Sequence, residues 1–239
     1  MRWDRREPQI CSYCGKLGLS EREHVIAKQF FPANGLYRGD LIIVPACTEC
    51  NREKGRVEEV VSIFLPYVSS SAAAKMVIEE RIMSTLRKNE RLKNIYLKSI
   101  RITYGYNEFG KLIKISRFDF DDETQQYFPQ WAEFVIRGLY REHAGENVPT
   151  SHQAKIRRFV KSEHVKFWRD WVNSHVNSLS AVKAKGEVRY QFSLGNTSVS
   201  SAWIINVYDT TIFALTHDVQ DTALLKQIEE FAVQSFFGG

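Results

Sequence analysis

Residues 40–55 read DLIIVPACTECNREKG, and the cysteine pair in that stretch, Cys47 and Cys50, matches an earlier pair in the run CSYC, Cys11 and Cys14. All four cysteines fall in the first 50 residues, and the remaining 189 have none. Each Cys-x2-Cys pair can present two thiolates from one tight turn, and two such turns supply the tetrahedral set that zinc takes in structural sites. The pairs are 32 residues apart, more than the 15–20 or so of a simple zinc ribbon, so something further is built between them. Two disulfides or unconnected thiols are the alternatives; paired spacing and a reducing compartment favour structural Zn2+. Four thiolates leave such an ion no open position, so any chemistry lies elsewhere.

Around these pairs, residues 1–60 are rich in Cys, Gly, Pro and charge, with one strongly apolar run, Leu41 to Val44. So little apolar surface needs a staple, which the metal supplies as folding energy. From Ser69 to Leu97 the pattern is helical: Ala72, Ala73 and Ala74 favour helix, and Ile78, Ile82 and Leu86 recur at steps of four. Ile100 to Phe120 alternates around an Asn107–Gly110 turn, as in a hairpin. A helix opening at Pro129 and running through Trp131 to Leu139 follows, then a second from His164 to Val172. Strands are expected at Val188–Ser193, Ala202–Tyr208 and Thr211–Thr216, before a last helix with Asp221 as its N-cap. The fold class is therefore α+β. Residues 1–60 form a small zinc-stapled module, 61–99 a helical connector, and 100–239 a second α+β domain with an antiparallel sheet.

The chain has 239 residues, of which 44% are hydrophobic and 26% charged, and this excludes disorder as the main state. No segment approaches 18 consecutive apolar residues and the amino terminus lacks the apolar stretch of a signal peptide, so a cytoplasmic location without a membrane partner is expected. The formal charge of +5 permits a polyanionic partner. Its excess is +1 in residues 1–60, +4 in 61–99 and 0 in 100–239, which singles out Arg87, Lys88, Arg91 and Lys93 as candidates for a nucleic-acid backbone contact. The run Lys155–Lys161 reads either as a basic patch with an interleaved aromatic or, preferably, as the solvated face of an amphipathic helix. The histidines beyond His24 show no ligand spacing and read as structural or solvent-facing.

Between the cysteine pairs lies SEREHVIAKQFFP, residues 20–32. The succession Cys11-x2-Cys14, Glu23-His24-Val25-Ile26, then Cys47-x2-Cys50-Asn51-x2-Lys54 resembles the HNH endonucleases, whose core is a ββα-metal module. The motifs cover roughly residues 8–60, and the runs RGLYREH, GEVRYQFSL and SSAWIINVYD are similar to the carboxy-terminal half of a bacterial branch of that superfamily. The resemblance implies hydrolysis of DNA phosphodiesters, with His24 as general base, Glu23 and Asn51 holding Mg2+ or another divalent cation, and Lys54 contacting a phosphate. It also allows a role in phage defence or a mobile element. The chemistry suits these residues: histidine near pKa 6.5 is largely neutral at pH 7. Hard oxygen donors suit Mg2+, and one or two suffice because waters and substrate complete the octahedron.

Asn51 has a competing role as a helix N-cap, and Lys54 as a solvated helix residue. The sequence departs from the family pattern at Glu23, where many members have Asp, at Ala27, a frequent Pro, and at Asp40, where the middle Asn usually pins the loop carrying the base. Two other readings use the same residues: a catalytically inactive zinc-dependent nucleic-acid-binding protein, and an RNA-cleaving nuclease. The expected partner is double-stranded DNA, with residues 100–239 available for homodimerisation or a protein partner.

Overall fold

A computed structural model of the chain describes residues 7–157, 179–195, 199–222 and 226. The fold is α+β with antiparallel sheets throughout. A two-residue hairpin, β1 (Gln9–Ile10) and β2 (Leu17–Gly18), holds the first cysteine pair in its turn. The turn closes through Cys11 N–H to Lys16 O and Gly15 N–H to Cys11 O, and Gly15 takes the left-handed φ of 75° that glycine adopts freely. Next, β3 (Glu21–His24) pairs with β4 (Ile43–Ala46), Glu23 opposite Val44 and His24 opposite Ile43, with the short helix α1 (Gly35–Arg38) in the connection. Helix α2 (Thr48–Val61) follows at once.

The expected single helix over 69–97 is broken into pieces: α3 (Ala72–Val77), a π turn (Ile78–Ile82), α4 (Met83–Lys88) and α5 (Glu90–Ser99). Asn89 makes the break. Its backbone is extended and its side chain accepts the Leu92 N–H, a local bond that competes with continuing the helix. Ile82, Leu86 and Leu92 pack with Val60, Ile63, Phe64 and Val77 into a core of their own. The hairpin follows as expected, β5 (Ile100–Tyr106) with β6 (Leu112–Phe118), and forms a sheet by itself.

Helix α6 (Asp122–Ala144) starts seven residues before Pro129, the expected start. The Asp121 carboxylate accepts the Thr124 N–H at 2.8 Å, and Asp122 and Glu123 favour the positive end of the helix dipole, so the acidic cap outranks proline as a start signal. Helix α6 then buries Trp131, Val135, Ile136 and Leu139. The carboxy-terminal sheet has the order β7-β11-β10-β9-β8, with β7 (His152–Arg157), β8 (Leu179–Lys183), β9 (Val188–Leu194), β10 (Val199–Val207) and β11 (Thr210–Asp218). The three central strands fall where the alternation placed them. Edge strand β7 takes Lys155, Ile156 and Arg157, which corrects the helical reading there: their backbone groups complete the β11 ladder. Residues 158–161, the helix His164–Val172 and most of the last helix after Asp221 lie outside the described residues.

The expected boundaries at residues 60 and 100 are not breaks in the core. One apolar cluster runs from Val25, Phe30, Phe31 and Val57 through Trp131 and Ile136 of α6 to Trp203, Ile205 and Tyr208 of the large sheet. Polar ties cross the same boundaries. Asn147 donates to Cys11 O at 2.7 Å, Ala184 N–H to Asp40 Oδ1 at 2.9 Å, Tyr208 Oη to Phe30 O, and Arg81 to Gln29 O. No helix among the described residues is long and apolar enough to cross a membrane.

Candidate metal centre and catalytic site

The two cysteine turns meet. Ligand atoms of Cys11, Cys14, Cys47 and Cys50 all lie within 4.8 Å of one another, and the Cys14 and Cys47 Sγ atoms are 3.8 Å apart. A tetrahedron with Zn–S bonds of 2.3 Å has S···S edges of about 3.8 Å, so the donor set fits a tetrahedral ion. Burial raises the Cys11 thiol, but N–H donation from Cys47, Cys14 and Tyr13 outweighs it and brings the thiol to about 7. Burial, with Cys47, Cys11 and Cys14 close by, pushes Cys50 well above the ordinary thiol range. Four thiolates this close repel one another unless a cation neutralises them, which is the work a structural metal does. The ligand turn also starts α2: Cys47 is its N-cap, its Sγ accepting the Cys50 N–H at 3.5 Å. The reading of Asn51 as an N-cap is thereby corrected.

Strand β3 faces the first turns of α2. Residues two apart on a strand share a face, as do residues three apart on a helix, so Glu21 and Glu23 meet Asn51 and Lys54. Asn51 Nδ2 donates to Glu21 Oε2 at 2.5 Å, and Lys54 Nζ donates to Glu23 Oε1 at 2.7 Å. Lys54 also donates to His24 O at 2.8 Å and to Glu58 Oε1 at 2.6 Å, while Glu58 Oε1 accepts the Ala27 N–H at 3.1 Å. Lys54 is 0% exposed. That corrects its expected phosphate contact, because the buried ammonium is held by three oxygens. Its work is to fix the end of β3 to α2.

His24, one residue on from Glu23, points to the other face of the strand. Burial, with Lys28, Lys54 and Arg22 nearby, lowers its pKa to about 4, so the ring is neutral at pH 7. Burial also pushes the Glu58 carboxyl up to about 7, against the pull of Lys54. No hydrogen bond joins Asn51 to Glu23 or His24 among the described residues. Sequence reasoning misses Glu21, although its position two residues before Glu23, on the same strand face, is the signal that could find it. Among the described residues the four cysteines are the only preformed group of three or more His, Cys, Asp or Glu ligands. An oxygen-bound cation would therefore rest on one or two side chains, Glu23 and Asn51, with water and substrate completing its shell.

Asp40 accepts the Ala184 N–H of the carboxy-terminal half, a bond that needs only an acceptor and so suits a carboxylate. Of the remaining histidines, His143 bonds Tyr190 Oη at 3.0 Å, His152 bonds Ser200 Oγ at 2.9 Å, and His217 is buried, while His164 and His175 lie outside the described residues. No protein-family model, curated protein or solved structure matches the chain.

Proposed function

We propose that the chain is a metal-dependent endonuclease of the HNH type that hydrolyses phosphodiester bonds of double-stranded DNA. One observation carries the reading: the strand ending in Glu23 and His24 packs on the first turns of the helix that leaves the second cysteine pair, with a buried lysine clamping the two together. Both faces of that strand end then have work. His24, neutral at pH 7, accepts a proton from water as the water oxygen bonds to phosphorus; one P–O ester bond breaks, and the departing oxygen is protonated from solvent. Glu23 and Asn51 offer hard oxygen donors to Mg2+ or a similar ion, which supplies charge neutralisation for the phosphorane when bound. Lys54 is a positioning residue for Glu23 and the His24 backbone. Zinc on the four cysteines holds the scaffold.

The test is cleavage of supercoiled plasmid with Mg2+ by the zinc-loaded protein, with structured RNA in parallel. Nicks or breaks in DNA that His24→Ala abolishes, with zinc content and fold retained, are expected. The rate should not halve near pH 6.5, where an ordinary histidine takes up a proton, because His24 remains neutral there. Cleavage of RNA alone would reassign the substrate. Absence of cleavage with every divalent ion would leave a zinc-dependent nucleic-acid-binding protein. A place in phage defence or a mobile element and a cytoplasmic location belong to the same proposal.

A further inference from the structure

The hairpin β5–β6 stands apart from both cores. It is a sheet of two strands, its seven-residue strands span about 20 Å, and it is anchored at its base. There Asp119 N–H bonds Ser99 O at 2.8 Å and Phe118 packs edge-on against Phe64. Such a ribbon is marginal by itself in water. Beyond the base its side chains are exposed on both faces: Tyr104 at 68%, Tyr106 at 75% and Phe109, in the turn, at 83%. Its charge is one-sided as well, with Arg101, Lys111, Lys114 and Arg117 against Glu108 alone.

The register adds an internal cost. Arg101 sits directly opposite Arg117, and like charges in facing positions destabilise a hairpin. Arg101 has partial relief from Asp119 at 3.8 Å, whereas Arg117 has no ion pair among the described residues. On the other face Tyr104 is opposite Lys114 and Tyr106 opposite Leu112. Lysines alone could be explained as guards against edge-to-edge pairing. Three exposed aromatics among them defeat that purpose, and a second copy of the arm would bring two positive ribbons together.

We infer that the β5–β6 hairpin is a nucleic-acid-binding arm that enters a groove of duplex DNA, with Arg101, Lys114 and Arg117 on phosphates and Tyr104 and Tyr106 on sugars and base edges. A major groove about 12 Å wide admits a two-stranded ribbon. The arm continues directly from α5, where Arg91 pairs with Glu59 and Lys93 with Glu90; at the end of the preceding α4, Arg87 and Lys88 are exposed without an ion pair among the described residues. The choice of duplex DNA as the polyanion rests on the nuclease reading.

The experiment measures binding of a short fluorescent duplex without Mg2+ across a salt series, beside cleavage measured separately. The triple variant Arg101→Ala, Lys114→Ala, Arg117→Ala should bind about tenfold or more weakly, and its log-affinity slope against log salt should flatten by about 0.9 for each phosphate that the protein no longer neutralises. Tyr104→Ala with Tyr106→Ala should weaken binding about fivefold or more and leave the slope unchanged. Circular dichroism should show both variants folded, since neither touches a core. Wild-type affinity and slope in both variants, no duplex binding by wild type, or tighter binding of single strand than duplex would overturn the inference. So would a wild-type dimer that the tyrosine variant dissociates. Duplex binding that depends on the arm, together with no cleavage under any divalent ion, would sink the nuclease reading and leave the arm standing.

Discussion

Lys54 shows how far residue type and position can diverge in meaning. In sequence it is a helix cation one turn after Asn51, a natural partner for a phosphate. In the fold its position points it at β3, where Glu23, Glu58 and the His24 carbonyl surround it. Removing one member of a buried charge network leaves the others uncompensated, at about 3–5 kcal/mol. Lys54→Met should therefore destabilise the zinc-loaded protein by about that amount in urea unfolding, and adding Glu58→Leu should recover part of it. A loss under about 1 kcal/mol would mean the ammonium is hydrated. The cysteines, by contrast, were fully legible, because thiolate pairs at x2 spacing have few other uses. The role proposed for His24 rests on its sequence neighbours, whereas its environment, which sets its protonation, is not legible there, because burial depends on chain segments far away in sequence.

At the scale of elements, local signals worked where they acted alone. The Asn107–Gly110 turn and the alternation on both sides of it gave the hairpin, and the Val188, Ala202 and Thr211 runs gave three central strands. Edge strands β7 and β8 escaped because their polar sequences carry weak alternation and take their conformation from the ladder beside them. Helix α6 shows competing signals, with an acidic cap overriding a proline. It also contains a glycine whose reason is tertiary. A Cβ on Gly138 would lie 2.8 Å from Val25 Cγ2, immediately after His24. Alanine there gains up to about 1 kcal/mol of helix propensity but overpacks the contact, at about 1–3 kcal/mol. Gly138→Ala should therefore lower the thermal midpoint and, by displacing Val25, also reduce the DNA cleavage proposed for the chain; an unchanged or raised midpoint would show that α6 can move away from β3 without loss.

Over the whole molecule, the composition correctly indicated a substantial core but not that the core is shared. Phe30 and Phe31 read as part of a self-sufficient zinc module, yet they pack under α6 and the large sheet, with Trp131 and Tyr208 as ring neighbours. Side chains separated by a hundred residues carry no mark of their pairing in a single sequence. The consequence bears on the proposed site: the strand end bearing Glu23 and His24 is held by α2 on one side and by α6 through Val25 on the other, so its geometry is a property of the entire fold. Under the proposed function the chain has two metal sites of different chemistry, one soft and closed on the four cysteines, which lie close enough together to hold an ion, the other hard and open at the acid–histidine strand end. The most direct measurement of that claim is anomalous diffraction, at the zinc and manganese edges, from crystals of the zinc-loaded protein soaked in Mn2+. The account predicts zinc on Cys11, Cys14, Cys47 and Cys50, and manganese bound through oxygen beside Glu23 and Asn51 within reach of His24. Manganese absent from that position would contradict it.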